Sequence, residues 1–172
     1  EDLCAALGVP AGERNVPDPE LILRALARWD TDGVARLEGE FAFAAWDGRR
    51  RELLCARSVF SPRPFYYHFS PGRFVWASSI RAVLLGAGLP RAVEETYLGC
   101  LLGGVPRAVE ASLYAGVKRL PAGSWLRLRV GGTPEVRTFW QLKMEPEIVP
   151  TSPTAAAEQL RDLLDRAVRS AL

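Results

Sequence analysis

The chain has 172 residues, 48% of them hydrophobic and 24% charged, which suffices for one domain with a sizeable core, or for one domain and the beginning of a second. Its 22 basic and 20 acidic residues leave a net charge of +2, so no global field favours nucleic acid or an anionic membrane as a partner. No run approaches the roughly 18 apolar residues of a membrane span and no signal peptide is recognised, so we expect a cytoplasmic protein.

The three cysteines, Cys4, Cys55 and Cys100, are widely spaced and form no CxxC pair. His68 is the single histidine that could join them in a metal site, and the spacing of these residues is not that of a zinc site. We therefore predict no metal site, and we expect the cysteines to be small buried hydrophobic residues in a reducing compartment.

The first predicted element is a helix that begins near Asp18. Asp18 is a good N-cap residue, Pro19 suits the first helical position and Glu20 adds an acid to the first turn. The apolar residues that follow at helical spacing are Leu21, Ile22, Ala25, Leu26 and Trp29. The pattern predicts a helix that ends between Asp30 and Gly33.

The next segment, EGEFAFAAWD at residues 38–47, is apolar at six consecutive positions. In a strand, alternate side chains point to opposite faces, so both faces of this strand would be apolar and covered. A buried helix is the alternative, but Gly39 and the Asp47-Gly48 pair enclose too few residues for one. We predict a strand that is covered on both faces and that pairs as a hairpin with the equally apolar segment Glu52 to Arg57.

Two further hairpins and two helices follow. The segments 65–69 and 73–77 flank Ser70-Pro71-Gly72, which predicts a type II turn. Short helices are expected after Ser78 or Ser79 and from about Val93 to Leu102. The segment 125–130 alternates, which predicts a strand with one face in water near a sheet edge, turned back by Gly131-Gly132 toward 136–140.

The C-terminal part differs in composition from the rest. Residues 145–153 contain three prolines and are predicted to be a linker. Beyond it, residues 154–172 carry apolar side chains at helical spacing and two acid-to-arginine i,i+4 pairs, Asp162 with Arg166 and Asp165 with Arg169. Because this helix has a broad apolar face and the chain begins with Glu1 rather than methionine, we expect the sequence to be a fragment of a longer protein.

Several short motifs occur in a fixed order along the chain: Asp18-x-Glu20-Leu21-Ile22, Gly39-x-Phe41-Ala42-Phe43-Ala44-x-Trp46-Asp47, Leu54-Cys55-Ala56-Arg57, Pro64-Phe65-Tyr66-Tyr67, Phe74-Val75-Trp76-Ala77-Ser78, Gly116-Val117-x-x-Leu120-Pro121-Ala122-Gly123 and Phe139-Trp140. This order resembles the second half of a class II glutamine amidotransferase domain, in the version found in asparagine synthetases.

The resemblance implies a fold, which is α+β: a four-layer αββα sandwich of antiparallel sheets, like that of N-terminal-nucleophile hydrolases. It would be incomplete at its N-terminus and followed by a C-terminal helix. In such a fold the segment FAFAAW would be a central strand between the other sheet and a helical layer. The implied organisation is a partial amidotransferase domain at residues 1–144, the linker at 145–153, and the first helix of a synthetase domain at 154–172.

The resemblance also implies a chemistry. Family members release ammonia from glutamine with an amino-terminal cysteine whose own α-amine acts as the base, and a synthetase domain then uses ATP and magnesium. Residue 1 of this chain is Glu1, so the catalytic cysteine is expected to lie outside it, as are the ATP and magnesium sites. Asp18 matches the aspartate that binds the α-ammonium group of glutamine, although a purely structural N-cap role is an equal alternative. His68 is expected to be structural.

Three departures from the family pattern leave the activity of the whole protein open. Ser58 replaces an aspartate, Ser61 replaces a glycine and Ser79 replaces a glutamate. The first hypothesis is a glutamine-dependent ligase of the asparagine synthetase type, partnered by its own synthetase domain and able to form a homodimer. The second is a lasso-peptide macrocyclase with a degenerate glutaminase domain, and the third is a non-catalytic scaffold that recognises a partner protein.

Overall fold

The computed structural model of the protein describes residues 3–10, 16–106, 108–142 and 152–171. The chain forms two compact units, Glu1–Gln141 and Leu142–Leu172. The first unit contains the sheets and most of the helices, and the second contains one long helix.

The elements of the first unit are, in chain order, α1 (Leu3–Ala6), α2 (Asp18–Trp29), a 3-10 helix (Asp30–Arg36), β1 (Ala42–Asp47), β2 (Glu52–Arg57), β3 (Tyr66–Ser70), β4 (Arg73–Ala77), α3 (Ile80–Ala87), α4 (Glu95–Gly103), β5 (Lys118–Arg119), β6 (Ser124–Arg129) and β7 (Glu135–Thr138). The second unit contains α5 (Pro153–Ala171). The predicted helices and hairpins are therefore present, with bounds shifted by one to three residues.

The strands form two antiparallel sheets. The first sheet has the order β1-β2-β6-β7 and the second has the order β4-β3-β5. All of the described strand pairs are antiparallel. The predicted α+β class with two antiparallel sheets is confirmed.

Three hydrophobic clusters separate four layers. One cluster joins the two sheets through residues such as Cys55 and Leu126 from the first and Tyr67 from the second. A second cluster places Leu26 of α2 against the outer face of the first sheet, and a third places Val83 and Leu84 of α3 against the second sheet. The order of layers is thus helix, sheet, sheet, helix.

Most of the segment FAFAAW lies in β1, between the second sheet and α2 as predicted, but the prediction that it is a central strand was wrong. Phe43 packs toward α2 and Ala42 packs between the sheets, so both faces carry packed side chains. However, β1 is an edge strand of the described sheet, and Trp46 is 56% exposed. The strand that is buried on both faces is its neighbour β2, whose first five residues are all buried.

Strand β6 was predicted to lie near a sheet edge, and this was also wrong. It lies between β2 and β7, and its first three residues are buried. The polar face of the predicted alternation is only partly in water. Arg129 is 71% exposed, whereas Arg127 extends over Trp125, with the guanidinium carbon 5.4 Å from the ring centroid, and pairs with acids.

The turns follow their sequence signals. Gly72 has φ 77°, the positive value that the predicted turn after Pro71 requires. In the β1–β2 turn, Asp47 Oδ1 accepts hydrogen bonds from the backbone N–H groups of Arg49 at 2.8 Å and Arg50 at 3.0 Å. These hydrogen bonds lower the pKa of Asp47, and the bond from Arg50 has the larger effect.

Helix α5 is amphipathic within its own unit. Its large apolar side chains are about half exposed, namely those of Leu160, Leu163, Leu164 and Val168. Most of the predicted linker lies outside the described residues, and the domain boundary stays a prediction. Within the described part of the chain, no helix is both long and apolar enough to cross a membrane.

Candidate functional site

Asp18, the predicted glutamine-binding residue, is the first residue of α2 and is exposed. The backbone carbonyl of Pro17 accepts from the N–H groups of Glu20 and Leu21, so Pro17 is the N-cap and Asp18 is the first helical residue. The predicted N-cap role of Asp18 is therefore wrong. Its side chain is exposed in the first turn of the helix.

The other end of α2 is fixed by an ion-pair network, which we define as Asp30, Glu52, Arg127 and Arg129. Arg127 Nη2 donates to both carboxylate oxygens of Asp30 at 3.0 Å. Arg127 Nε lies 3.1 Å from Glu52 Oε1, a charge contact without hydrogen-bond alignment. Arg129 Nε donates to Glu52 Oε2 at 2.9 Å. Because Asp30 directly follows α2, the network holds the helix against the first sheet and so positions Asp18.

A second set of contacts holds the loop in which the family motif is altered. The Ser58 side-chain oxygen accepts from the backbone N–H of Phe41 at 3.1 Å, and the Ser58 N–H donates to the Phe41 carbonyl at 2.9 Å. Arg57 donates to the carbonyls of Leu120 and Ser61, both at 3.2 Å. Serine thus ties this loop to the start of β1 with a neutral group where the family pattern has a carboxylate.

This loop borders a cavity of about 650 Å³, which we call the Pro62 cavity. It lies beside the edge of β1 and the end of β4, and its lining includes Glu40, Phe43, Arg63 and Ser78. Asp18 does not line it. The sequence did not reveal this cavity, because its walls come from three segments that are not neighbours in the chain.

Cys55 does not have the environment of a catalytic thiolate. Cys55 is fully buried, and burial raises its pKa to about 12, so its thiol is protonated and unreactive near neutral pH. Cys4 and Cys100 are partly exposed, which corrects the expectation that all three are buried. Among the described residues, no three histidine, cysteine or acidic side chains lie close enough together to hold a metal ion.

Comparison with known proteins now adds to this geometry. A family model described as "Glutamine amidotransferase domain" matches residues 12–140, a range that contains α2, both sheets and α3. The chain belongs to this family. The resemblance inferred from the order of the motifs is confirmed.

The curated relatives are mostly named asparagine synthetases. Asparagine synthetase [glutamine-hydrolyzing] 3 of Bacillus subtilis (strain 168) is 30% identical over 129 residues, which are 74% of this chain and 21% of that protein. A putative asparagine synthetase [glutamine-hydrolyzing] of Mycobacterium tuberculosis (strain ATCC 25618 / H37Rv) is 34% identical over 117 residues, 65% of this chain and 18% of that protein. This amidotransferase domain is therefore asparagine synthetase-like.

A relative with a different name also matches. Amidase chyE of Penicillium rubens is 26% identical over 126 residues, which are 73% of this chain and 18% of that protein. The chain thus spans about a fifth of the length of these curated relatives. The matches identify the domain, and the activity of a whole protein that contains it is a separate question.

Proposed function

We propose that this chain is the glutamine-binding part of an ATP-dependent, amide-forming ligase of the asparagine synthetase type. The observation that carries the proposal is the family match over residues 12–140. Asp18 lies within this range, and the resemblance of the motifs assigns it to the position of the aspartate that binds the α-ammonium group of glutamine. The position of Asp18 supports that role, because its carboxylate is exposed at the start of a helix whose other end is fixed by the ion-pair network.

The remaining parts of the reaction are assigned outside this chain. The nucleophile of the family is an amino-terminal cysteine, and Cys55 is too deeply buried to replace it. The chain also lacks the Ser-Gly-Gly-x-Asp-Ser loop that would bind ATP phosphates. The described residues therefore do not fit ATP or magnesium, and we assign both to a separate synthetase domain.

The test of the proposal is Asp18→Asn in the whole protein. Asparagine removes the charge that pairs with the ammonium group of glutamine, and a charged hydrogen bond contributes about 1.5–3 kcal/mol. We expect the KM for glutamine to rise about 10- to 100-fold while synthesis from free ammonia is unchanged. The matched control is Asp32→Asn, an exposed aspartate of the 3-10 helix, which should leave both reactions unchanged.

An unchanged glutamine KM in Asp18→Asn would refute the assigned role of Asp18. The 172-residue chain alone should release no ammonia from glutamine above the level of a denatured sample, because the nucleophile is assigned outside it. Ammonia release by the chain alone would show that the nucleophile has been misplaced.

A second candidate is a lasso-peptide macrocyclase type of amide ligase with a degenerate glutaminase domain. The replacement of the family aspartate by Ser58 favours it, because the serine removes a charge from the loop that borders the Pro62 cavity. Under this alternative the whole protein forms an amide with an amine of its own substrate, and neither glutamine nor Asp18→Asn affects the rate. A whole protein with no ligase activity under either condition would instead support the role of a partner-binding scaffold.

A further inference from the structure

The two edges of the first sheet, β1 and β7, differ in length and in charge. β7 has four residues and carries Glu135 and Arg137, and a short, charged edge discourages pairing with another strand. β1 has six residues and is uncharged from Ala42 to Trp46. The edge at β1 therefore lacks this protection and can accept a further strand.

The backbone groups on the outer edge of β1 belong to alternate residues. The Ser58 N–H donates to the Phe41 carbonyl at 2.9 Å, which fixes the phase of the hydrogen bonds between β1 and β2. In an antiparallel pair, residues that bond to the neighbouring strand alternate with residues whose N–H and C=O groups point away from it. The residues that point away from β2 are Ala42, Ala44 and Trp46. In the part of the chain that the structure describes, no other strand pairs with this edge.

The side chains of the same three residues share one face of β1, because they alternate along the strand. Ala42 packs against the cluster between the two sheets, so this face looks toward the second sheet. Trp46 is 56% exposed and borders a cavity of about 530 Å³ together with Phe74 and Trp76 of β4. Ala42 and Ala44 border the Pro62 cavity instead. β1 thus carries a large exposed side chain near one end and a cavity beside small side chains near the other.

This arrangement is complementary to itself. When two copies of β1 pair antiparallel about a two-fold axis at Ala44, each Ala44 faces its own counterpart and each Trp46 faces Ala42 of the other copy. Because these residues lie on the same face of the strand, the indole of one copy reaches the Pro62 cavity of the other. That cavity, about 650 Å³, is larger than an indole ring. An exposed tryptophan that fills a pocket of its partner is a common anchor of protein interfaces.

The charges that flank β1 favour the same direction of pairing. Glu38 and Glu40 precede the strand, and Arg49 and Arg50 follow it; all four residues are exposed. Antiparallel pairing places the acidic end of each copy beside the basic end of the other, whereas parallel pairing would place like charges together. Arg50 makes only long contacts, of 3.6 and 3.7 Å, with acids of its own chain, so it is available to the acids of a second copy.

We propose that two copies of this chain associate through β1, paired antiparallel about a two-fold axis at Ala44, so that their first sheets form one continuous sheet. The backbone groups on the outer edge of each β1 then bond to those of the other copy. Trp46 anchors the interface and the flanking charges set its direction. The proposal does not rest on glutamine use, because none of these residues is assigned to glutamine.

The test is sedimentation equilibrium of the 172-residue chain between about 1 and 200 μM, a range that covers a micromolar Kd. We expect dimers. Ala44→Lys and Ala44→Glu each bring two like charges together at the two-fold axis and should each weaken the dimer at least about 10-fold. An equimolar mixture of the two variants should restore the dimer, because opposite charges then face each other. This rescue requires residue 44 to face its own counterpart.

Two control variants separate this interface from other exposed apolar surfaces. Leu164→Lys places the same charge on the exposed face of α5 and should leave the dimer intact. Trp46→Ala should weaken the dimer about 10-fold, whereas Leu102→Ala, which alters the 80% exposed leucine of α4, should not. Thermal melting of each variant confirms folding.

Three results would overturn the proposal. The first is a parent chain that stays monomeric at about 200 μM. The second is a folded Ala44→Lys protein with the parent dimer Kd, and the third is a mixture of the Lys and Glu variants that stays monomeric. A dimer that Leu164→Lys dissociates and Ala44→Lys does not would assign the association to α5 and would equally contradict pairing through β1.

Discussion

The ion-pair network gives the most quantitative prediction, which concerns Glu52→Gln. The Glu52 side chain is 7% exposed and contacts two arginines. Removing one partner of a fully buried ion pair costs about 3–5 kcal/mol. Two observations reduce this figure here: the Arg129 side chain is 71% exposed and can turn to water, and Arg127 keeps its bonds to Asp30.

The expected loss of unfolding free energy is therefore that of one charged hydrogen bond, about 2 kcal/mol. For a protein of this size about 1 kcal/mol shifts the melting temperature by roughly 2–4 °C, so we expect a decrease of about 4–8 °C. Urea unfolding followed by circular dichroism measures the free energy, and a thermal scan measures the temperature.

The matched control is Glu135→Gln. Glu135 pairs with Arg137 at 2.6 Å, but the two side chains are 44% and 68% exposed, so this variant should lose at most about 1 kcal/mol. In 1 M NaCl, where screening acts over about 3 Å, the small effect of Glu135→Gln should vanish while that of Glu52→Gln persists. A Glu52→Gln protein as stable as the parent, or one whose defect disappears in salt, would show that the network does not hold α2 on the sheet.

Three further predictions concern stability and association. Burial raises the pKa of Cys55 from 9.0 and of Tyr67 from 10.0, each to about 12. Because these groups ionise in the unfolded chain at a lower pH than in the folded chain, the free energy of unfolding should fall between about pH 9 and pH 12. Cys55→Ala should make this decline shallower, and an unchanged pH profile would contradict the burial of the thiol. Ser58→Ala leaves the N–H of Phe41 without its side-chain acceptor and should lower the free energy of unfolding in urea by about 1–2 kcal/mol. Ser58→Asp restores an acceptor and should not lower it. Equal losses of unfolding free energy in the two variants would refute this role of Ser58. Deleting residues 151–172 removes the half-exposed apolar face of α5. The deletion should raise solubility and reduce self-association in analytical ultracentrifugation, and it should leave the melting temperature of the first unit unchanged. A large drop in that temperature would show that the predicted domain boundary is wrong.

The local elements of the fold were predictable from the sequence alone. Asp47-Gly48 and Pro71-Gly72 mark two hairpins, and helical spacing marks α2 and α5, because turns and periodicity depend on residues that are near in the chain. The order of motifs further predicted the family, and with it Asp18 as the one candidate site residue whose role still awaits a test.

Only the tertiary structure decided which strands are central. Alternation reports which face of a strand is apolar but not which strand lies beside it, so the edge position of β1 and the central position of β6 could not be read from either pattern. Arg127 illustrates the reason. From the sequence alone its charged side chain is expected to face water, but in the fold it pairs with Asp30, 97 positions away in the chain.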